Sequence, residues 1–313
     1  MSEMSSTDKP VLVTGAAGLV GRRLISRLVQ QGRPVLPIDR IALTTSEGIE
    51  IKECDLGDIH RLHALARGGI DSVVHCGAYS GPMVARDVPF SMVQVNIVGT
   101  ANVLELARIH QARRFVYCSS TSVYGVIDSG PVSEDVLLKP RSLYGASKVA
   151  SEYITTAYAD QYGLSATSLR LSWVYGPGRT TDCIIRTMIE DALVKQPTRI
   201  DFGADFPRQF IHVDDAVQGL MRALDAKSLP RTTYNITGDT RMSLGDIAAL
   251  VRSVFQHADI ELADGPDPVD EYQEKFTIDA ARRDLGYVPR VSLEDGIRSY
   301  ATWLAAERGL PLD

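Results

Sequence analysis

The feature that most constrains the fold of this 313-residue chain is an alternation of short apolar runs with longer amphipathic segments. Short runs that are nearly all apolar are typical of strands buried on both faces of a parallel sheet, and the segments between them have helical periodicity. The predicted strands are 11–14, 34–38, 49–54, 72–76, 115–119 and 166–171, and the predicted helices are 19–31, 59–67, 90–110 and 146–161. This alternation predicts an α/β fold with a Rossmann-type, doubly wound parallel sheet.

The regular alternation ends near residue 172. The later predicted elements are helices 183–195, 214–226, 244–255 and 293–307 and strands 209–213 and 234–237. We therefore predict a Rossmann domain over residues 1–172. Residues 173–313 are expected to form a smaller C-terminal substrate-binding lobe, with some of their strands and helices returning to the Rossmann core.

Charge and cysteine content exclude several classes of protein. The formal net charge is −6, which gives no reason to expect nucleic acid or a membrane surface as a partner. No apolar run approaches the roughly 18 residues that span a bilayer. The four cysteines are far apart, and His60 and His63 lack further ligands at metal-binding spacing, so we expect free thiols, no metal site and a cytoplasmic location.

A glycine-rich turn follows the first predicted strand. Gly15, Gly18 and Gly21 are spaced three apart, and an amphipathic helix begins at Leu19 and Val20. Glycines allow a tight turn and close backbone approach, so that a pyrophosphate can lie at the helix N-terminus. Glycine turns join many strands to helices, but a strand before and a helix after this one favour a dinucleotide site.

Two acidic residues extend this prediction. Asp39 ends the second strand, where its carboxylate would accept hydrogen bonds from the adenosine ribose and repel a 2′-phosphate, which favours NAD over NADP. The adjacent Arg40 is an argument for NADP, because a guanidinium there could hold the extra phosphate. Asp55, with Leu56, could meet the adenine, or Asp55 could simply cap the next helix.

A chemical site is indicated by Ser120, Tyr144 and Lys148. The last two lie four residues apart at the start of a helical pattern and therefore share one face. A phenol is a weak base because its reference pKa is about 10, and a neighbouring ammonium would stabilise the phenolate needed for acid–base catalysis. Ser120 ends a buried strand and could hydrogen-bond a substrate oxygen while Tyr144 exchanges its proton.

The motifs together resemble those of the extended short-chain dehydrogenase/reductases, specifically the NAD-dependent epimerase/dehydratase group typified by UDP-galactose 4-epimerase. The matching segments, in chain order, are TGAAGLVG, HCGA, VNIVGT, SSTSVYG, YGASK, LRLSWVYGPG, RQFIHVDD and LGYVP. The resemblance implies that Ser120, Tyr144 and Lys148 are catalytic and that Lys148 also holds the nicotinamide ribose. It further implies an NAD cofactor, a sugar-type small-molecule substrate and a homodimer formed through the helices near 90–110 and 146–161.

The resemblance also extends the predicted site. Beyond the residues already named, the cofactor is expected to contact Cys76, Gly77, Ala78, Asn96 and Ser119. The residues expected to contact the substrate are Ser80, Ser120, Thr121, Trp173, Arg179 and Arg208.

Three departures from the family bear on the substrate. Thr121 and Ser122 stand where nucleotide-sugar dehydratases carry an Asp-Glu pair, which argues against dehydration. Trp173 replaces an asparagine that helps to hold a sugar nucleotide. The acidic run Asp264–Glu274 occupies a stretch where an arginine is usual, although Arg208 matches another phosphate-side arginine of the family. Arg179 and Arg186 could hold a smaller anion such as a carboxylate, or could simply belong to a solvated helix face.

These observations leave three functional hypotheses in order. The first is an epimerase that acts on a sugar or nucleotide sugar, with hydride passing to NAD and back. The second is an NAD-dependent dehydrogenase or reductase of a free sugar, sugar acid or small polyol, which the three departures favour. The third is a catalytically silent NAD-binding module, which retention of the Tyr-Lys pair opposes.

Overall fold

The dominant feature of the computed structural model, which describes residues 9–84 and 87–312, is an eight-stranded sheet. Its order is β11-β7-β6-β5-β1-β2-β4-β3, and every neighbouring pair is parallel except the antiparallel pair β3 and β4. The strands are β1 (Val11–Thr14), β2 (Val35–Asp39), β3 (Leu43–Thr44), β4 (Glu50–Glu53), β5 (Ser72–His75), β6 (Arg114–Ser120), β7 (Ala166–Leu171) and β11 (Thr233–Ile236). The strand order and the parallel pairing confirm the predicted doubly wound fold.

Helices cover both faces of this sheet. The helices are α1 (Leu19–Gln30), α2 (Ile59–Leu65), α3 (Pro89–Val93), α4 (Gly99–Ile109), α5 (Leu143–Tyr162), α6 (Ile184–Leu193), α7 (Val213–Asp225), α8 (Leu244–Val254), α9 (Asp279–Leu285) and α10 (Leu293–Arg308). One apolar core joins the sheet to α1, α7 and α9, and a second joins it to α2, α4 and α5. The helix predicted over 90–110 is present as two α-helices, α3 and α4, which are joined by the π-helical turn Gln94–Val98.

A smaller unit packs beyond the carboxyl ends of the main strands. It contains a three-stranded sheet of β8 (Trp173–Tyr175), β10 (Pro207–His212) and β12 (Arg241–Ser243), and a pair formed by β9 (Thr198–Ile200) and β13 (Ile260–Leu262). Helices α6, α8 and α10 share one apolar core with these strands. Strand β11 and helix α7 return to the main sheet and its core, whereas a domain boundary at residue 172 stays a prediction.

A buried histidine connects the first strand to the crossover helix that follows β5. The His75 Nδ1 lies 2.6 Å from the Thr14 hydroxyl, and its Nε2 lies 3.0 Å from the Thr100 hydroxyl. Burial, with a smaller contribution from the charge of Lys148, lowers the pKa of His75 to about 3, so the ring is neutral near pH 7. These bonds hold β1 and β5 together at the point where the chain reverses its direction across the sheet, which is where ligands bind in such folds.

The structure bears on the predictions about a membrane span and free thiols, but not on the predicted location. No helix in the ranges 9–84 and 87–312 combines the length and hydropathy needed to cross a bilayer. The cytoplasmic location stays a prediction. All four cysteines are free, as expected from their spacing.

Candidate active site

A cavity of about 520 Å³ lies at the carboxyl ends of the central strands and extends to the smaller unit. The residues predicted to contact the cofactor that line it are Gly15, Gly18, Leu19, Val20, Asp39, Asp55, Leu56, Cys76, Gly77, Ala78, Ser119, Tyr144 and Lys148. The predicted substrate residues that line it are Ser80, Ser120, Thr121, Trp173 and Arg179. Asn96 and Arg208, which were also predicted, are not part of this lining.

The glycine turn after β1 is too close to its neighbours for a side chain. Gly15 has φ +63°, and a Cβ added there would lie 2.6 Å from the backbone nitrogen of Gly77. A Cβ on Gly21 would lie 2.1 Å from the carbonyl oxygen of Gly15. The turn therefore brings bare backbone to the cavity, and helix α1 begins directly after Gly18.

The residues around this turn fit a dinucleotide. The first turn of α1 presents N–H groups that lack partners within the helix, which suits a pyrophosphate. One carboxylate oxygen of Asp39 accepts a hydrogen bond from the backbone N–H of Ala17 at 3.0 Å, which fixes the acid at the edge of the cavity. Arg40 also lines the cavity, with its guanidinium 5.6 Å from the centre of the Tyr79 ring. Carboxylate, turn and helix thus form a cradle for an adenosine diphosphate group.

The side chains of two predicted cofactor residues, Asn96 and Ser119, form hydrogen bonds with other groups of the protein. The Asn96 amide accepts a hydrogen bond from the backbone N–H of Tyr79 at 2.8 Å and donates to its carbonyl oxygen at 3.1 Å. The Ser119 hydroxyl donates to the carboxylate of Glu152, so this hydroxyl is already engaged within the protein. Asn96 therefore positions the segment that carries Ala78 and Tyr79.

Tyr144 and Lys148 lie on the first turns of α5. The helix begins here because Ser142 accepts a hydrogen bond from the backbone N–H of Gly145 at 3.1 Å, an N-cap that orients the first turn. The Lys148 Nζ lies 5.7 Å from the centre of the Tyr144 ring and donates to the carbonyl oxygen of Cys118 at 2.7 Å. Both side chains are buried at the cavity wall.

The environment of Lys148 keeps its ammonium charged. Burial disfavours the charged form, but the acidic groups of Tyr117, Tyr144 and Cys118 together outweigh burial and raise the pKa of Lys148 overall. Its Nζ also lies 4.7 Å from the centre of the Tyr117 ring, a cation–π contact. A fixed positive charge beside Tyr144 stabilises any phenolate that forms there.

Ser120 completes the constellation from the end of β6. Its side-chain oxygen accepts a hydrogen bond from the backbone N–H of Ser122 at 3.1 Å, which caps the short 3₁₀ turn Thr121–Val123. The turn leaves Ser120, Thr121 and Ser122 on the cavity wall. No ligand contact was predicted for Ser122, which lies two residues beyond Ser120.

A buried ion pair joins β7 to α5, the helix that carries Tyr144 and Lys148. Arg170 on β7 donates to Glu152 on α5 through Nε at 3.0 Å and Nη2 at 2.7 Å, and each side chain is only 4% exposed. Arg170 also donates to the Tyr124 hydroxyl at 2.9 Å. Sequence patterns do not reveal this pair, because its partners are distant in sequence and lie on elements predicted only as apolar or amphipathic.

The end of the cavity near the smaller unit, where the substrate was predicted, is rich in hydroxyl groups. Ser172, Thr180 and Thr181 line it in addition to the predicted residues, and none of them was singled out by sequence reasoning. The buried side-chain oxygen of Ser172 has no hydrogen-bond partner within the described part of the chain. Ser172 lines the cavity as a residue, but this oxygen itself is almost inaccessible to solvent.

Comparisons with known proteins agree with this geometry. The model of the NAD dependent epimerase/dehydratase family matches residues 11–237. UDP-glucuronate 4-epimerase 4 of Arabidopsis thaliana is 31% identical over 94% of this chain and 74% of its own length.

Solved structures of nucleotide-sugar-binding proteins are similar to this chain as well. UDP-glucuronic acid 4-epimerase from Bacillus cereus, in complex with UDP-glucuronic acid and NAD, is 29% identical with a TM-score of 0.83, over 95% of this chain and 99% of that one. MoeE5 in complex with UDP-glucuronic acid and NAD is also 29% identical, with a TM-score of 0.86 over the same shares of the two chains. The chain belongs to the NAD-dependent epimerase/dehydratase family.

Proposed function

We propose that this protein is an NAD-dependent sugar epimerase that inverts a carbinol carbon, with Ser120, Tyr144 and Lys148 as its catalytic residues. The observation that carries the proposal is that Tyr144 and Lys148 line the same cavity as the glycine turn at Gly15. The names of the relatives support it, because several are UDP-glucuronate 4-epimerases.

Each catalytic residue has a separate task. NAD supplies, when bound, a reversible hydride acceptor for the carbinol carbon. Tyr144 takes the hydroxyl proton as the alcohol becomes a carbonyl and returns it when the alcohol is restored. Lys148 stabilises the phenolate by charge, and Ser120 hydrogen-bonds the substrate oxygen so that it stays near the phenol.

Substitution of Tyr144 by phenylalanine tests the proposal. Tyr144→Phe should lower turnover by several orders of magnitude and leave NAD affinity nearly intact, because only the proton-carrying oxygen is lost. Tyr153→Phe is the matched control, since it removes a phenol hydroxyl from an exposed position of the same helix. Near-normal turnover by the Tyr144 variant would show that the acid–base group lies elsewhere.

The same assay separates epimerase from dehydrogenase. Product stereochemistry and absorbance of NADH are followed together on a panel of sugars, sugar acids and UDP-sugars. Inverted product without accumulated NADH supports the epimerase, whereas stoichiometric NADH identifies a net dehydrogenase. NAD binding with no turnover on the whole panel would favour the catalytically silent module.

We also propose a homodimer formed through α4 and α5. These helices pack together and, with α3, expose large apolar side chains, among them Phe90 (69% exposed) and Tyr153 (67%). Light scattering should give twice the chain mass of 34.2 kDa. Tyr153→Lys should weaken the dimer, and Leu137→Lys, which changes an equally exposed residue in a loop, should not.

A further inference from the structure

The ammonium of Lys148 is held by aromatic rings and a backbone carbonyl group rather than by a carboxylate. Its Nζ donates to the carbonyl oxygen of Cys118 at 2.7 Å, and it lies 4.7 Å from the centre of the Tyr117 ring and 5.7 Å from that of Tyr144. Within the described part of the chain, the titratable side chains that interact with this charge are His75, Cys76, Tyr117, Cys118 and Tyr144. A lysine side chain is flexible, so one hydrogen bond does not fix the position of its charge, and the nearest ring supplies the second constraint.

That nearest ring belongs to Tyr117, which contacts the ammonium from outside the cavity. The Tyr117 side chain is 1% exposed and does not line the cavity, whereas Tyr144 does. Its hydroxyl has no hydrogen-bond partner among residues 9–84 and 87–312, and burial raises the pKa of this phenol, so it stays neutral. The contact with Lys148 is therefore made by the face of the ring, and a cation–π contact is strongest where water is excluded.

The Tyr117 ring is itself fixed by the buried histidine of the central sheet. Tyr117 on β6 and His75 on β5 are directly opposite each other, and their rings stack with centres 5.6 Å apart. His75 cannot rotate freely, because its two ring nitrogens contact the hydroxyl groups of Thr14 and Thr100. Its neutral ring adds no positive charge that would repel Lys148. A continuous set of contacts thus leads from the first strand to the ammonium.

We propose that Tyr117 is a positioning residue of the active site, whose ring holds the Lys148 ammonium beside Tyr144 by a cation–π contact. Without this contact the ammonium would move on its flexible stem, and the phenolate that forms at Tyr144 would lose part of its stabilisation. The ring is needed for this task and the Tyr117 hydroxyl is not. This inference rests on the proposed function, because it concerns two of the residues proposed there as catalytic.

The test changes the charge distribution of the ring without changing its size. Tyr117→Phe retains the π face and should behave nearly as the native protein does. Tyr117→pentafluorophenylalanine retains the shape but removes the negative π face, so turnover should fall about tenfold relative to Tyr117→Phe, as expected for one desolvated cation–π contact. The KM for substrate should change little, because Tyr117 does not line the cavity.

The pH–rate profile is the readout that a merely structural role would not move. Removal of the hydroxyl proton requires the phenolate form of Tyr144, so weaker stabilisation should move the acidic limb of the profile to higher pH by about one pH unit. Calorimetric titration with NAD is a second readout that needs no turnover. NAD affinity should fall at least about threefold, because Lys148 is also expected to hold the nicotinamide ribose.

Phe115→pentafluorophenylalanine is the matched control. Phe115 is buried on the same strand and in the same apolar core, and its ring also approaches that of His75, with centres 6.1 Å apart. The control should leave the profile and NAD affinity unchanged.

A native profile for the fluorinated Tyr117 variant would overturn the proposal, as would an equal change in the control. A large loss in Tyr117→Phe would also overturn it, because the hydroxyl rather than the ring would then be required. If the native protein turns over none of the sugars tested, the proposed function fails and NAD affinity alone decides. Weaker NAD binding by the fluorinated Tyr117 variant than by the control supports the positioning role, and equal binding overturns it.

Discussion

The Gly15→Ala substitution is a quantitative test of the tight backbone contact between Gly15 and Gly77. The backbone of Gly15 has φ +63°, a conformation that costs a residue with a Cβ about 1–2 kcal/mol. The added Cβ would also lie 2.6–2.7 Å from backbone atoms of Gly77 and Cys76. These atoms cannot yield as a flexible side chain would, since β1 and β5 are hydrogen-bonded neighbours. Overpacking of this kind costs about 1–3 kcal/mol, so the Gly15→Ala variant should lose about 2–5 kcal/mol of unfolding free energy.

A second glycine separates the two contributions. Gly286 ends α9 with φ +62°, almost the same conformation, but a Cβ there would meet no atom within 4 Å. Gly286→Ala should therefore lose only the conformational part, about 1–2 kcal/mol. Chemical denaturation gives the free energies, and calorimetry with NAD shows whether the cradle survives. NAD affinity should fall sharply for Gly15→Ala and stay unchanged for Gly286→Ala.

Two outcomes would refute this reasoning. Equal losses of stability in both variants would mean that the contact between Gly15 and Gly77 is not tight in solution. A stable Gly15→Ala protein that binds NAD normally would mean that the turn does not approach the cofactor.

Two further predictions follow from the same structure. Because Asp39 lines the cavity, NAD should bind at least about tenfold more tightly than NADP, and Asp39→Ser should reduce that affinity ratio. Equal affinities of the native protein for NAD and NADP would mean that attraction of the 2′-phosphate by Arg40 outweighs its repulsion by Asp39. Glu152→Gln leaves the Arg170 charge buried without its partner and should reduce the unfolding free energy by about 3–5 kcal/mol, whereas Glu105→Gln, at a more exposed ion pair, should change it little. A small effect of Glu152→Gln in denaturation would mean that water or another group replaces the lost charge.

The sequence by itself determined those parts of this protein that depend on local pattern. Buried parallel strands tend to be apolar runs, so most strands of the central sheet were recognisable, and with them the doubly wound fold. Strand β4 was predicted at its position, but it is charged and largely exposed rather than apolar and buried, and the two-residue β3 was not predicted. The glycine turn, Asp39 and the Tyr144–Lys148 pair were recognisable because their chemistry depends on fixed short spacings. The short strands β8, β9, β12 and β13 were not predicted, because strands of three residues leave little periodicity to detect.

Only the tertiary structure decided what depends on residues far apart in the chain. It paired Arg208 with Asp267 and Asp270, which lie some sixty residues away, and removed from the cavity an arginine that the sequence had assigned to the substrate. It also assigned Asn96 a supporting position and brought Ser172 to the wall. The physical reason is that a charged side chain binds whichever partner folding brings within reach, and spacing along the chain does not encode that distance.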